Sequence, residues 1–180
     1  DLATLLSNAS LDCNKAADTS FQRNSTAGPV NYQYQVDLGW LVHCNNAGIP
    51  QSADLSLTGA GAFAAQHWSG STQSDGALRC TGLNPQATAY LFNGNYDLEG
   101  QLTGQLRNTD PTLDISIALQ LTDLSLRKSD RLITGGTGAF TLTATNGRGR
   151  TETITGTLVF NGDGTATVTV NGYAHTFPLK

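Results

Sequence analysis

The chain has 180 residues, a mass of 18.9 kDa and a net charge of −4, with 13% charged and 38% hydrophobic residues. Charge at about half the usual share excludes disorder driven by charge excess. The acidic balance, with three Lys and seven Arg scattered along the chain, excludes a nucleic-acid binder or a surface drawn to anionic lipid. No apolar run approaches the ~18 residues of a membrane-crossing helix, and the length suits one domain or at most two.

The polarity resides instead in Thr, Ser, Asn, Gln and Gly: 24 residues are Thr, fourteen of them in the last 60. Asp1–Leu6 suggests one or two helical turns carrying Leu2, Leu5 and Leu6, and residues 7–30 read as irregular. Residues 1–31 are therefore expected to be an N-terminal extension packing on a β domain of residues 32–180. A start at Asp1 and no Met anywhere fit a mature chain whose leader has been removed. Cys13, Cys44 and Cys80 form no C-x-x-C pair, and with low Lys and abundant Thr and Asn they point to a secreted, periplasmic or cell-surface protein, with room for a lipid anchor. Asn8-Ala-Ser10 and Asn24-Ser-Thr26 are glycosylation sequons wherever the host glycosylates secreted chains.

From Tyr32 to Cys44 every even residue is apolar and nearly every odd one polar, except Gly39 and Leu41, which predicts a strand with one dry and one wet face. Leu113, Ile115, Ile117, Leu119 and Leu121 repeat the alternation, and its slip at Thr122–Asp123 predicts a bulge or bend. Phe140–Thr145 and Glu152–Leu158 follow, joined by the Gly-rich Asn146–Arg150. The end reads as a meander in which Thr157–Phe160, the loop Asn161–Gly164, Thr165–Val170, an Asn171-Gly172 turn and Tyr173–Leu179 succeed one another. Asn-Gly between alternating strands signals a type I′ hairpin, whose two central residues both need positive φ.

Self-comparison shows a possible duplication. Gly61-Ala62-Phe63 recurs 77 positions later as Gly138-Ala139-Phe140, and Asn93-Gly94 recurs 78 positions later as Asn171-Gly172. The expected architecture is all-β, an antiparallel meander barrel or alternatively a two-sheet sandwich, built from pseudo-repeated units 32–108 and 109–180. Under that equivalence Cys44 and Cys80 correspond to Leu121 and Leu158 of one core layer. The expected disulfide is then Cys44–Cys80, with Cys13 left over; the rivals are Cys13–Cys44 and three separate buried thiols.

No Gly-x-Ser-x-Gly elbow, phosphate loop or dinucleotide fingerprint occurs, so no cofactor is implied. Asn161-Gly-Asp163-Gly resembles the opening of a calcium loop but lacks the later acidic ligand, and a plain hairpin loop explains it better. His43 falls on the wet face, whereas parity turns His67 and His175 inward. Without a dense ligand cluster these are core histidines rather than a metal site. Thr141, Thr143, Thr145, Thr153, Thr155, Thr157, Thr165, Thr167 and Thr169 should line one outer face. The corresponding outer positions of the first unit include the less polar Leu41, Trp68 and Leu91, which a partner or the N-terminal leucines Leu2, Leu5, Leu6 and Leu11 would cover.

These features favour a non-enzymatic β domain that binds a protein or glycan partner through an exposed sheet face or loops. The first alternative is a carrier of a small apolar ligand, with Trp40, Tyr90, His67 and His175 as wall residues. The second is a glycan-active enzyme whose carboxylate pair the sequence does not locate.

Overall fold

A computed structural model describes residues 12–26, 29–105 and 111–179. Ten strands form one antiparallel sheet in which each strand pairs with its neighbour in the chain. They are β1 (Ala16–Ser25), β2 (Val30–Cys44), β3 (Pro50–Ala65), β4 (Trp68–Thr81), β5 (Ala89–Gly104), β6 (Thr112–Arg127), β7 (Ile133–Asn146), β8 (Thr151–Phe160), β9 (Thr165–Val170) and β10 (Tyr173–Pro178). The order runs from β1 to β10 without closing, so there is a single layer with two edges. The expected all-β meander is present; a second sheet, as in a sandwich, is not found among the described residues.

Period-two alternation has a clear consequence in this topology. From β2 to β8 apolar positions mostly pair with apolar positions or glycines, as in the row Leu38, Leu57, Gly76, Tyr96, Leu119, Phe140 and Gly156. Across β2–β8 one face of the sheet is therefore mainly apolar and the other mainly polar. Glycines in these rows leave room for aromatic rings. A side chain added at Gly156 would meet the Phe140 ring at 2.5 Å, and one at Gly70 would meet the Phe63 ring at 2.7 Å.

The core gathers at one end of the apolar face, where the loops after β2, β4, β6 and β8 lie. Val42, Ala53, Leu55, Cys80, Leu83 and Phe92 are buried there, with Trp40, Leu78, Tyr90, Leu124 and Leu126 packed around them. Leu83 belongs to the 82–88 loop, which folds back so that its amide bonds the Gln51 carbonyl. Lys128 fastens the same loop through the Asn84 carbonyl at 2.8 Å, with its ammonium 4.8 Å from the Tyr90 ring centre. Burial of that ammonium lowers the Lys128 pKa, and burial pushes the Cys80 thiol up to about 12.

The bulge expected at Thr122–Asp123 is present, with Asp123 at φ 50° and the β6–β7 register shifting after Thr122. Asn171 and Gly172 adopt the positive φ of the expected hairpin turn. The other Asn-Gly pair does something different, because Asn93-Gly94 lies inside β5 as a bulge, with Gly94 at φ 148°. The Asn93 amide oxygen accepts from the Asp123 amide at 2.9 Å and its Nδ2 donates to Asp123 Oδ1 at 3.1 Å, so the two bulges clasp each other. The Asn-Gly recurrence thus has unlike structures at its two positions, whereas Gly61–Phe63 and Gly138–Phe140 both lie within strands, β3 and β7.

Two expectations are corrected. Residues 16–25, read as irregular, form β1 paired along its whole length with β2; as an edge strand it lacks the full alternation of a covered one. The disulfide is Cys13–Cys44, with Cα atoms 5.5 Å apart, and Cys80 is free. Cys44 and Cys80 do share a face, but β3 runs between their strands, with Ala53 beside Cys80. Two strand spacings are about 9.6 Å, beyond the reach of a disulfide. The candidate helical turns, Asn8 and the N-terminal leucines Leu2, Leu5, Leu6 and Leu11 lie outside the described residues.

Candidate functional site

The polar face is built from the odd residues of β2, β4, β5 and β7 and the even residues of β3 and β6 through Thr122. At mid-sheet one row runs Gln35, Ala60, Gln73, Glu99, Ser116, Thr143, Thr153, and the next runs Ala62, Ser71, Gln101, Asp114, Thr145. Around these rows the sheet forms an open trough of about 620 Å³ spanning β3–β7. Its walls carry Ser71, Gln73, Glu99, Asp114, Ser116, Thr143 and Thr145, with no Lys or Arg. Gln101 donates to Asp114 at 2.8 Å, holding that carboxylate upright.

Two smaller recesses, of about 430 and 400 Å³, open on the same face. One lies beside Asn95, Asp97, Gln120 and Thr141, the other beside Gly39, Leu41, Asp54 and Ser56. Their common feature is hydroxyl and carboxylate groups presented by paired strands. Chemically, such a surface offers many acceptors and short donors and little positive charge.

Charge divides this face in two. Across β2–β6 it carries Asp37, Asp54, Asp75, Asp97, Glu99 and Asp114, and Asp75 stands directly opposite Asp97, a like-charge pairing that weakens a sheet. Hydrogen bonds from the Ser20 and Gln35 side chains hold the Asp37 carboxyl below its ordinary value. Across β7–β10 the face carries threonines in cross-strand pairs, including Thr141 with Thr155 and Thr143 with Thr153. The Thr145–Thr151 and Thr167–Thr176 hydroxyls are bonded at 2.9 and 2.8 Å. The threonine alternation places these residues on one face, as the sequence suggests.

Near the loop end His43 Nε2 lies 2.7 Å from Asp54 Oδ2, and Arg79 reaches Asp54 at 3.4 Å and Ser52 Oγ at 3.3 Å. The three side chains that meet at Asp54 are 37–58% exposed, so solvent screens this network. Among the described residues no three His, Cys, Asp or Glu side chains converge as metal ligands. Asp163, in the candidate calcium loop, instead accepts from the Thr165 hydroxyl at 2.6 Å and amide at 3.0 Å, as a hairpin loop would have it.

The structure scatters the residues singled out in the sequence. Leu41 and Leu91 lie on the polar face toward the loop end, on different strands. Tyr90 packs against the core from the apolar face. Trp68, expected beside Leu41 and Leu91, lies on the opposite, apolar face, where its ring covers Gly104. His67 sits in the turn between β3 and β4 and is exposed, and its carbonyl accepts from the Gln105 amide. Counting parity straight through that two-residue turn misplaces both, because Phe63 pairs with Gly70 and an odd residue faces an even one across the hairpin. His175 shares the apolar face with Val168, as parity indicated, but on the edge strand β10, where it is exposed rather than in a core.

Of the trough residues only Thr143 and Thr145 stood out in the sequence, as part of the threonine face. The polarity of the others was visible, but the convergence depends on residues as far apart in the chain as Ala60 and Thr143 lying in one row. Comparison with protein-family models, curated proteins and solved structures gives no match, so the chemistry of the face rests on its own residues.

Proposed function

We propose that the chain is a secreted or envelope-located, non-enzymatic β domain that binds a neutral glycan strand across the trough of its polar face. The observation that carries this reading is the trough wall itself: hydroxyls, an amide and two carboxylates, with no Lys or Arg side chain, over about 620 Å³. Sugar hydroxyls donate well to carboxylates, and the same carboxylates repel sulfated or uronic-acid polymers. The disulfide is compatible with an oxidising compartment, where such polymers are met.

Closure of β1 on β10 into a barrel would make the trough an interior, and an even number of strands permits antiparallel closure. Even then the enclosed walls would mix Ala60 and Ile115 with hydroxyls, an amide and two carboxylates, which favours a glycan over the small apolar ligand of the carrier alternative.

Affinity electrophoresis through gels containing neutral glucans or galactomannans, with alginate as the anionic comparison, tests the reading. Retardation is expected in a neutral gel and not in alginate. The double substitution Glu99→Ala with Asp114→Ala should weaken binding at least about 10-fold, since bonds to charged groups contribute more than neutral ones. Absence of retardation in every neutral polysaccharide, or equal retardation of the double variant, would sink the glycan reading.

A further inference from the structure

Among the described residues asparagine precedes glycine at four places, Asn93, Asn146, Asn161 and Asn171. Such a step carries a chemistry of its own, because glycine has no side chain to shield its backbone nitrogen from the neighbouring side-chain amide. Three of the four are tied down. Asn93 lies in a bulge inside the sheet, its Oδ1 accepting from the Asp123 amide and its Nδ2 donating to Asp123 Oδ1. Asn146 Oδ1 accepts from the Arg148 and Arg150 amides at 3.0 and 3.1 Å, and the Gly147 amide is taken up by the Thr112 carbonyl at 3.0 Å. Asn161 Nδ2 donates to the Thr165 and Thr167 hydroxyls at 2.8 and 3.0 Å. Asn171 differs on each count. Neither its side chain nor the Gly172 amide makes a hydrogen bond to another described residue, and both residues are exposed. They also turn the outermost hairpin, in which β10 pairs with β9 alone, and a short strand held from one side opens at small cost.

We propose that Asn171-Gly172 is a self-modification site, at which the chain deamidates spontaneously and so loosens β10. The Gly172 backbone nitrogen gives its proton to solvent hydroxide and bonds to Asn171 Cγ. The Cγ–Nδ2 bond breaks, and Nδ2 leaves as ammonia after taking a proton from water. A second water opens the resulting cyclic imide at either of its carbonyls. Opening at Cγ yields aspartate with the chain path unchanged. Opening at the main-chain carbonyl yields isoaspartate, in which the backbone runs through Cβ and Cγ and is one carbon longer. Either product makes the net charge one unit more negative than −4. Only isoaspartate lengthens the turn, whose positive φ values, 51° at Asn171 and 82° at Gly172, set Tyr173–Pro178 in register on Thr165–Val170.

Ageing the full chain in mildly alkaline buffer tests the proposal, with peptide mapping and isoaspartyl-methyltransferase labelling at intervals. Conversion of Asn171 should run ahead of Asn93, Asn146 and Asn161 by about 10-fold or more, because each of those must first break hydrogen bonds that Asn171 does not make. Hydrogen exchange should rise in β9 and β10 in step with the isoaspartate fraction. Asn171→Asp, which adds the charge without the extra carbon, should keep the protection of the unaged hairpin, and Asn171→Ser should show no rise with age. Conversion of another Asn-Gly step first, or at an equal rate, would overturn the proposal. So would an isoaspartate-bearing chain whose β10 exchanges no faster than that of Asn171→Asp, or a rise with age that persists in Asn171→Ser.

Discussion

The two ends of the apolar face have the same alternation but different fates. At the loop end Val42 and Cys80 are fully buried because a loop with its own leucine, Leu83, folds over them and a disulfide closes the edge. At the turn end the connections after β3 and β9 are two residues long, too short to fold back, and Tyr34 and Ile154 stay 40% and 41% exposed. Alternation decides which face a side chain takes, and at the loop end the 82–88 loop supplies the cover. Stability measured on the chain should therefore be concentrated at one end.

The largest expected effect is a contrast within that face. Phe92→Ala, in the packed end, should destabilise by about 3–5 kcal/mol, whereas Ile154→Ala, which already meets solvent, should cost about 1 kcal/mol or less as a monomer. Equal losses in urea titration would erase the distinction between the two ends. Next in size, replacing Cys13 and Cys44 by Ser should lower stability by roughly 3 kcal/mol on the loop-entropy view. Urea midpoints with and without reductant should reproduce that change in the unmutated chain, and hydrogen exchange should rise at the loop end first.

The smallest effect is acid sensitivity of the loops themselves. Asp130 is held low chiefly by the side-chain hydrogen bond from Arg127, which closes the β6–β7 loop at 2.6 Å, and Asp163 chiefly by the Thr165 hydroxyl. Their folded pKa values lie below the unfolded ones, so their contribution is present above the ordinary carboxylate range, about pH 4, and is lost as pH falls through the folded values. Both are exposed, so the slope should be shallow. Asp130→Asn should flatten it in an acid titration of the urea midpoint, and an unchanged profile would remove Arg127–Asp130 from the loop's fastening.

Much of this arrangement was readable from residues alone. The alternation in Tyr32–Cys44 and Leu113–Leu121 fixed the faces of β2 and β6, the parity slip located the Asp123 bulge, and Asn171-Gly172 located the last turn. The disulfide was not readable, because the identity of Cys44's partner depends on the placement of Cys13 ahead of an edge strand that carries little alternation of its own. Trp68 was misplaced because a two-residue turn inverts parity. The trough was invisible for a third reason. Its walls come from five strands whose register is pinned by the clasped bulges at Asn93 and Asp123, a long-range relation that no local pattern encodes.

The unclosed meander has one further consequence, which concerns polymerisation. With ten alternating strands, β1 and β10 run in opposite directions, so β10 of one molecule could add to β1 of the next as an ordinary antiparallel pair, without end. Such growth is a recognised hazard of exposed edges. The edges carry the means to resist it. β10 is only six residues long and ends at Pro178, which has no amide hydrogen to donate, and β1 presents Asp18 and Arg23 on opposite faces. The chain thus limits fibre growth with a proline and two charges at its margins, leaving the broad faces free to be chosen for what they bind.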